Sequence, residues 1–488
     1  MSDKDAVGTG TDLKGAVEPA AVEESSRSGR FRHRLRNIGA LVASIAAIGA
    51  VVSGLTGYWS AWKVISNDFF KRDSPSRTVS LITKGPTVAV LPAGNPTKTA
   101  ALESITDVLA QQLVSSLGKF SLLKVVPRAT AANFLNDRDP AEAARASGVD
   151  YLVMGEVRPL GEGARVNIHV ADLRSRAEVW SAFSDISAEG IKTEMDAYEV
   201  GDVSASQISG AIDGAEYKKF QNKPVDELSP YECIIQARMA GALGSQTATL
   251  RALACSEQLT TKEPNNAMAW AARSAVINSQ RQFGYGLTRD LVVHVEKRLY
   301  LNDEMIRAAA RAVELAPDDA VVRRYFAQAI GAKCQLDLYR QEAEKALALN
   351  PNDPVALGFL GLGFAFMGDW DKGSALAEKA IRLAGPSASY NWWYAPAKRH
   401  WWRGEYQQAL EDFRHAYIDG FWLSHLDQAY TLPFLNRLDD AKAQVTKLLK
   451  LRPDFTIREA DAYYRMYCFS PEYIEKMNLA LRQAGLPE

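Results

Sequence analysis

A helix-ending proline or glycine returns at a nearly constant interval through the second half of this 488-residue chain. The marks are Pro317, Pro351, Pro386, Gly420 and Pro453, so successive marks are 33 to 35 residues apart. A fixed period in this range is typical of stacked helix-turn-helix repeats rather than of a closed globular fold. The pattern therefore predicts an open all-α array, and arrays of this kind generally bind other molecules rather than catalyse reactions.

Small and aromatic residues recur at corresponding places within each period. In the unit that begins at Pro354, the residues Leu357, Gly361 and Phe364 fall on one side of a first helix. Small residues suit places where two helix backbones approach closely, and aromatic side chains fill the space between hairpins. Together with the period, these positions resemble the tetratricopeptide repeat (TPR) family over residues 229–456. The resemblance implies a TPR superhelix of about six hairpins.

One interval breaks the period. Pro264 fits the same frame but lies 53 residues before Pro317. We therefore expect an insertion at residues 280–301, as a lengthened helix or as a loop on one face of the array.

The TPR resemblance also implies a binding surface. In that family the first helix of each pair lines a concave groove, and the residues mapped to inward positions here would make it aromatic with a few cations. Such a groove suits capture of a protein or peptide partner. The alternative is that several of these rings fill the core between repeats. The candidate partner-binding residues are Arg324, Phe366, Tyr394, Lys398, Trp401, Trp402 and Tyr430.

Residues 38–62 form a run of 25 residues without a charged side chain. At about 1.5 Å per residue, a helix of this length crosses the hydrocarbon core with some tilt. Tyr58, Trp59 and Trp62 lie at one end, as in an aromatic belt. A cleaved signal peptide and a buried core helix are the alternatives. The length of the run and its long charged lead favour a transmembrane helix.

Basic residues flank this run on both sides, with a bias toward the N-terminal side. Because cytoplasmic flanks are enriched in Lys and Arg, we expect a signal anchor with a cytoplasmic N-terminus in a bacterial inner membrane. The main domains would then be periplasmic. Ala46, Ala50 and Gly54 recur every fourth residue, a spacing that lets two membrane helices approach closely and so permits a homodimer. The basic residues are Arg27, Arg30, Arg32, Arg34 and Arg36 before the run, and Lys63, Lys71, Arg72 and Arg77 after it.

The pattern of apolar residues in residues 86–190 differs from that of the repeats. A buried strand, an amphipathic helix, a second strand and a short helix come first, and three consecutive strands with hairpin-sized connections follow. This order predicts a small α/β domain of about 100 residues.

The same segment resembles the amino-terminal domain of TolB, a periplasmic translocation protein, in the form found ahead of TPR arrays. Many relatives of this kind carry a cyclase or DNA-binding domain before the membrane helix and are labelled adenylate cyclase-related. Here 37 residues precede the helix, so we expect no cyclase core. The residues that carry the likeness are Gly148, Val149, Asp150, Tyr151, Gly155, Val166, Asp172 and Trp180.

Enzyme motifs are missing from the sequence. It contains neither a G-x-x-x-x-G-K-[ST] phosphate loop nor a G-x-S-x-G nucleophile elbow. The glycine-rich run at 361–368 falls inside a repeat helix and is expected to allow close helix packing. The six histidines are scattered without metal-ligand spacing, and the net charge is −1. We therefore expect no catalytic site, no metal, no cofactor and no nucleic-acid partner.

The chain has four cysteines. Cys233 and Cys255 are each eleven residues from a turn near Gly244, which would place them level on antiparallel helices. They could form a disulfide in an oxidising compartment or be two small buried apolar residues. Cys334 and Cys468 have no obvious partner.

These observations predict an α+β multidomain membrane protein that acts as a protein-binding adaptor or scaffold in the cell envelope. An alternative is a sensory input module for a cytoplasmic signalling enzyme such as an adenylate cyclase, without cyclase activity of its own. A hydrolase would need an active site in the α/β domain, where we find none. The predicted segments are a disordered tail (1–37), a transmembrane helix (38–62), a linker (63–85), the α/β domain (86–190), a connecting helix (191–228), the TPR array (229–456) and C-terminal capping helices (457–488).

Overall fold

The computed structural model describes residues 85–288, 290–291 and 295–488. The predicted cytoplasmic tail, the transmembrane run at 38–62 with its dimer contact, and all but the last residue of the linker lie outside the described residues. Within the described ranges, no helix combines the length and the apolar character needed to cross a bilayer.

The N-terminal part of the described chain is a five-stranded sheet with strand order β2-β1-β3-β4-β5. Strand β1 pairs in parallel with β2 and β3, and β3, β4 and β5 form an antiparallel meander. The strands are β1 (Thr87–Val90), β2 (Lys124–Val125), β3 (Tyr151–Leu160), β4 (Gly163–Asp172) and β5 (Ala177–Ile186). The helices of this part are α1 (Ala100–Leu117), α2 (Arg128–Asn133), α3 (Pro140–Ala146), α4 (Ala188–Thr193) and α5 (Met195–Phe220).

Alternating side chains divide the sheet into two faces. Val166, Ile168 and Val170 of β4 are buried against α1 and α5. On the opposite face, α2 and α3 cover only the part of the sheet around β1 and the start of β3. The rest of that face is open, and Phe183 of β5 is 65% exposed. The sheet thus has one fully covered face, as the period-2 pattern of its strands requires.

The helices described between residues 230 and 451 form six hairpins. The first hairpin is α6 (Pro230–Leu243) with α7 (Gln246–Lys262), and the second is α8 (Ala267–Phe283) with α9 (Tyr300–Leu315). The remaining pairs are α10 (Ala320–Gly331) with α11 (Leu336–Leu349), α12 (Pro354–Phe366) with α13 (Trp370–Ala384), α14 (Tyr394–Arg403) with α15 (Tyr406–His415), and α16 (Trp422–Thr431) with α17 (Leu438–Leu451).

The periodic Pro and Gly marks all fall between hairpins. Pro317, Pro351, Pro386, Gly420 and Pro453 each follow a second helix and precede the next first helix. The break in the period corresponds to the long connection between α8 and α9, which includes a short 3₁₀ helix at Val295–Leu299. The sequence period therefore marks the repeat boundaries.

Local sequence features determine where a helix begins and how closely two helices pack. The side chain of Ser229 accepts a hydrogen bond from the backbone N–H of Glu232, whose side chain reciprocally caps the start of α6. In the fourth hairpin, a Cβ added to Gly373 would lie 2.4 Å from the backbone nitrogen of Ala365. Glycine is needed there because the backbones of α12 and α13 are in direct contact. A Cβ added to Gly361, in the glycine-rich run, would lie 2.7 Å from the carbonyl oxygen of Gly373, so this glycine serves helix packing, as the sequence indicates.

Helix α5 joins the α/β domain to the repeats. Asp202 accepts hydrogen bonds of 2.7 Å from Gln112 of α1 and of 2.7 Å from Asn352, in the turn before α12. Asp213 of α5 lies 2.7 Å from Arg238 of α6 in a largely buried ion pair. The two parts are therefore packed together rather than connected by a free linker.

The last two helices, α18 (Ile457–Met466) and α19 (Pro471–Gln483), contact more than the end of the array. The sequence predicts capping helices at 457–488. In the structure, the chain around residue 468 instead turns back onto the first helices of earlier hairpins, because its aromatic side chains are buried there.

Candidate functional site

The first helices α8, α10, α12, α14 and α16 share one face of the array, which we call the first-helix face. Residues 463–476, here called the return segment, lie on it. At one end Arg281 of α8 donates a hydrogen bond of 3.3 Å to the carbonyl oxygen of Met466. Next along the face, Cys334, in the turn after α10, forms a disulfide with Cys468. The return segment is thus attached covalently to the third hairpin.

Aromatic contacts continue across the next three hairpins. The rings of Phe366 in α12 and Phe469 have centroids 4.7 Å apart. Trp401 in α14 lies 4.7 Å from the ring of Tyr473, and Tyr430 in α16 also borders the return segment. The return segment therefore touches the first-helix side of five successive hairpins.

A buried lysine cluster fixes the middle of this contact. The Nζ atom of Lys398 donates hydrogen bonds to Asp427 Oδ1 at 2.9 Å, to the Tyr464 hydroxyl at 2.7 Å and to the Tyr430 hydroxyl at 3.2 Å. The hydroxyls of Tyr430 and Tyr464 also donate to the same carboxylate oxygen, at 2.9 and 2.7 Å. Lys398 is 3% exposed.

The charges of this cluster compensate each other. Burial lowers the pKa of Lys398, and the carboxylate of Asp427 opposes that shift. Burial and the same carboxylate raise the pKa of Tyr464 well above its ordinary value. Because one member of the cluster belongs to the return segment, releasing that segment would remove a partner from a buried ion pair.

Two adjacent tryptophans of α14 contact the end of the return segment. Trp401 is fully buried, whereas Trp402 is 36% exposed. The Nζ atom of Lys476 lies 4.5 Å from the centre of the Trp401 ring and donates to the Trp401 carbonyl oxygen at 3.3 Å. A cation over an aromatic ring is a favourable contact of the kind expected at a peptide-binding surface.

The structure brings most of the predicted partner-binding residues onto the first-helix face, but it does not leave them free. Lys398, Trp401 and Tyr430 contact the return segment directly, so in this state the predicted open groove is covered by the chain itself. Arg324 lies apart, with its guanidinium 3.8 Å above the ring of Tyr325 and a hydrogen bond of 3.1 Å to Gln328. The open groove predicted for these residues is therefore wrong for Lys398, Trp401 and Tyr430, which are buried as in the alternative that such side chains fill the core, whereas Trp402 is 36% exposed.

A cavity of about 120 Å³ remains between the first-helix face and the return segment. Three predicted site residues, Phe366, Tyr394 and Lys398, line it. The other lining residues come mainly from α8, α10, α12, the 3₁₀ turn at Tyr390–Trp393 and the return segment, and the sequence does not indicate those of α8 and of the return segment. The other lining side chains include Asn278, Arg281, Gln328, Asn391, Tyr463, Tyr464, Tyr467 and Phe469.

Both cysteine pairs are bonded in the structure. Cys233 of α6 and Cys255 of α7 have Cα atoms 5.8 Å apart, and Cys334 and Cys468 have Cα atoms 5.2 Å apart. The second pair spans 134 residues, and no local pattern in the sequence predicts it. Elimination is the signal that could have found it, because two cysteines remain once Cys233 and Cys255 are joined.

In the part of the chain that the structure describes, His, Cys, Asp and Glu side chains do not gather in groups of three or more that could hold a metal ion.

Comparisons with known proteins give weak likenesses. No protein-family model matches the sequence, and no curated protein matches it. Among solved structures, TolB from Acinetobacter baumannii is 18% identical, with 27% of this chain and 29% of that chain covered and a TM-score of 0.21. The APC/C hetero-tetramer Cut9–Hcn1 is 14% identical, with coverage of 56% and 64% and a TM-score of 0.26. The chain thus spans less than two thirds of either protein, and the fold assignment rests on the hairpins and the sheet described above.

Proposed function

We propose that this chain is a TPR-type protein-binding scaffold of the bacterial cell envelope and not an enzyme. Residues 38–62 would anchor it in the inner membrane as a single span, and the α/β domain and the repeats would lie in the periplasm. The observation that carries the proposal is the return segment. It is a peptide bound across five hairpins through aromatic rings and charged hydrogen bonds, which is the chemistry that a partner peptide would use.

On this proposal the return segment is a resident occupant of the binding surface. A partner that uses the first-helix face must displace it, at least in part. The Cys334–Cys468 disulfide opposes that displacement because it holds the middle of the segment to the third hairpin.

Crosslinking followed by mass spectrometry in native membranes tests this function. We expect partner crosslinks on the first-helix face to increase when Cys334→Ser and Cys468→Ser free the return segment. The matched control, Cys233→Ser with Cys255→Ser, removes a disulfide of the first hairpin and leaves the return segment attached. Equal crosslinking in both double variants and the wild type would count against the first-helix face as the partner site.

The proposed compartment is supported by the two disulfides, since such bonds persist mainly in oxidising compartments. Fusion of a phosphatase that is active only in the periplasm to the C-terminus of the full chain tests it. Activity is expected, and an inactive phosphatase together with a fluorescent cytoplasmic reporter fusion would contradict the proposed orientation.

A second candidate is a sensory input module for a cytoplasmic enzyme such as an adenylate cyclase. The self-occupied face favours it, because an occupied and a free state provide the two conformations that a signal requires. Co-purification with a cytoplasmic enzyme that is lost when residues 38–62 are replaced by an unrelated membrane helix would favour this candidate over a passive scaffold.

A further inference from the structure

The cavity under the return segment has the size of a small organic molecule. Its volume is about 120 Å³, and an apolar cavity of about 150 Å³ in another protein accepts benzene. The rings of Phe366, Tyr394, Tyr467 and Phe469 are among its walls. Such walls favour a flat or compact apolar body.

One cation in this wall has no counter-charge. Arg281 is 4% exposed, and burial lowers its pKa. Its guanidinium has five N–H donors, yet its hydrogen bonds are a 3.3 Å contact with the Met466 carbonyl oxygen and a 3.5 Å contact with Asn278 Oδ1. Its Nε atom has no hydrogen-bond partner. Among the described residues, no carboxylate forms an ion pair with Arg281.

Two other cations in the described part of the chain, both largely buried, are each paired with a carboxylate. Lys398, across the cavity, lies 2.9 Å from Asp427, and Arg323 lies 2.7 Å from Glu342. Arg324 resembles Arg281 in lacking a carboxylate and in lying over an aromatic ring, at 3.8 Å from the centre of the Tyr325 ring compared with 5.2 Å between Arg281 and the Tyr467 ring, but Arg324 does not line the cavity. A buried charge without a partner is costly, so the position of Arg281 in a cavity wall calls for an anion.

We propose that this cavity binds a small organic monocarboxylate with a single aromatic ring or a compact apolar body. The carboxylate would form a bidentate ion pair with Arg281, and the apolar body would pack against Phe366, Tyr394 and Phe469. One negative charge balances the one uncompensated guanidinium, whereas a phosphate group would bring a second charge without a partner. The ligand would contact both the hairpins and the return segment, and so would stabilise the covered state of the first-helix face.

Three probes of one shape and different charge test the proposal on the purified full-length chain. Benzoate, benzamide and benzylamine share a ring and carry negative, zero and positive charge. By titration calorimetry we expect saturable binding of benzoate, binding of benzamide weaker by about tenfold or more, and no binding of benzylamine. Equal affinities for benzoate and benzamide, or no saturable binding of benzoate, would overturn the proposal.

Substitutions of Arg281 test whether this residue binds the carboxylate. Arg281→Gln should remove the preference for benzoate over benzamide, and Arg281→Lys should keep a weaker preference. Arg324→Gln is the matched control, because it removes an equally buried guanidinium outside the cavity wall, and it should retain the wild-type preference.

Without ligand, Arg281→Gln should unfold at the wild-type temperature or higher, since an unpaired buried charge is lost. Benzoate should then raise the unfolding temperature of the wild type and of Arg324→Gln but not that of Arg281→Gln. An unchanged benzoate preference in Arg281→Gln would refute the assignment.

Discussion

Lys398 and Tyr464 lie 66 positions apart in the sequence, and Lys398 Nζ donates a hydrogen bond of 2.7 Å to the Tyr464 hydroxyl. Both groups also bind the carboxylate of Asp427. This three-membered contact joins two repeat helices to the return segment. It makes the C-terminal residues part of the array core rather than an appendage.

Replacement of Lys398 by methionine should destabilise the protein strongly. The substitution leaves the Asp427 carboxylate buried without its cation, and breaking a buried pair in this way costs about 3–5 kcal/mol of unfolding free energy. Denaturant unfolding of the purified full-length chain measures the loss. Lys372→Met is the control, because its ion pair with Glu344 is at the surface and should contribute less than about 1 kcal/mol. Similar losses in the two variants would contradict the cluster.

Alkaline unfolding should depend on Tyr464. Burial and Asp427 raise the pKa of Tyr464 in the folded chain well above its ordinary value, whereas an unfolded tyrosine ionises near pH 10. The stabilising contribution of Tyr464 is therefore complete below about pH 10 and is lost as the pH rises above it.

Tyr464→Phe should thus reduce the slope of unfolding free energy against pH above about pH 10, where the unfolded wild type releases one more proton than the folded state. Tyr198→Phe, at a position that is 45% exposed, should leave the slope unchanged. Denaturant unfolding at several pH values measures both slopes. An identical slope for Tyr464→Phe and the wild type would mean that this hydroxyl is not buried.

The two disulfides should differ in their contribution to stability. Cys334 and Cys468 are separated by 134 residues, and Cys233 and Cys255 by 22. In the chain-entropy description, loss of the long loop costs about 5 kcal/mol and loss of the short loop about 3 kcal/mol. Thermal unfolding of the two double serine variants compares them. A smaller loss for Cys334→Ser with Cys468→Ser would indicate that the return segment is not held in this position.

The close packing of α12 and α13 should be sensitive to a single methyl group. Gly373→Ala places a carbon 2.4 Å from the backbone nitrogen of Ala365, and overpacking of this kind costs about 1–3 kcal/mol. Gly210→Ala in α5 has no neighbour within 4 Å and should instead gain up to about 1 kcal/mol from helix propensity. Equal stabilities in denaturant would contradict the direct backbone contact.

The sequence predicts the local parts of this fold well. The Pro and Gly marks identify the repeat boundaries because each of them lies between two α-helices, where a residue that disfavours continuation of a helix acts locally. The three strands of the meander follow from period-2 alternation, as in Val166, Ile168 and Val170. A paired position for Cys233 and Cys255 also follows from local geometry, since both lie on one hairpin.

The return segment could not be predicted in the same way. Its contacts with Phe366, Trp401 and Lys398 join residues far apart in the sequence, and no period relates them. From the sequence alone, an aromatic residue that binds a partner at an inward position of a repeat cannot be distinguished from one that packs against the end of its own chain. The lack of a carboxylate partner for Arg281 among the described residues can likewise be recognised only from the fold, because it depends on which side chains lie near the guanidinium.

Disulfide mapping of the full-length protein under non-reducing conditions tests the covered first-helix face most directly. We predict that the peptide containing Cys334 is recovered linked to the peptide containing Cys468, and that Cys233 is linked to Cys255. Free thiols at residues 334 and 468, or a link from either of them to residue 233 or 255, would contradict the return of the C-terminal segment onto the hairpins.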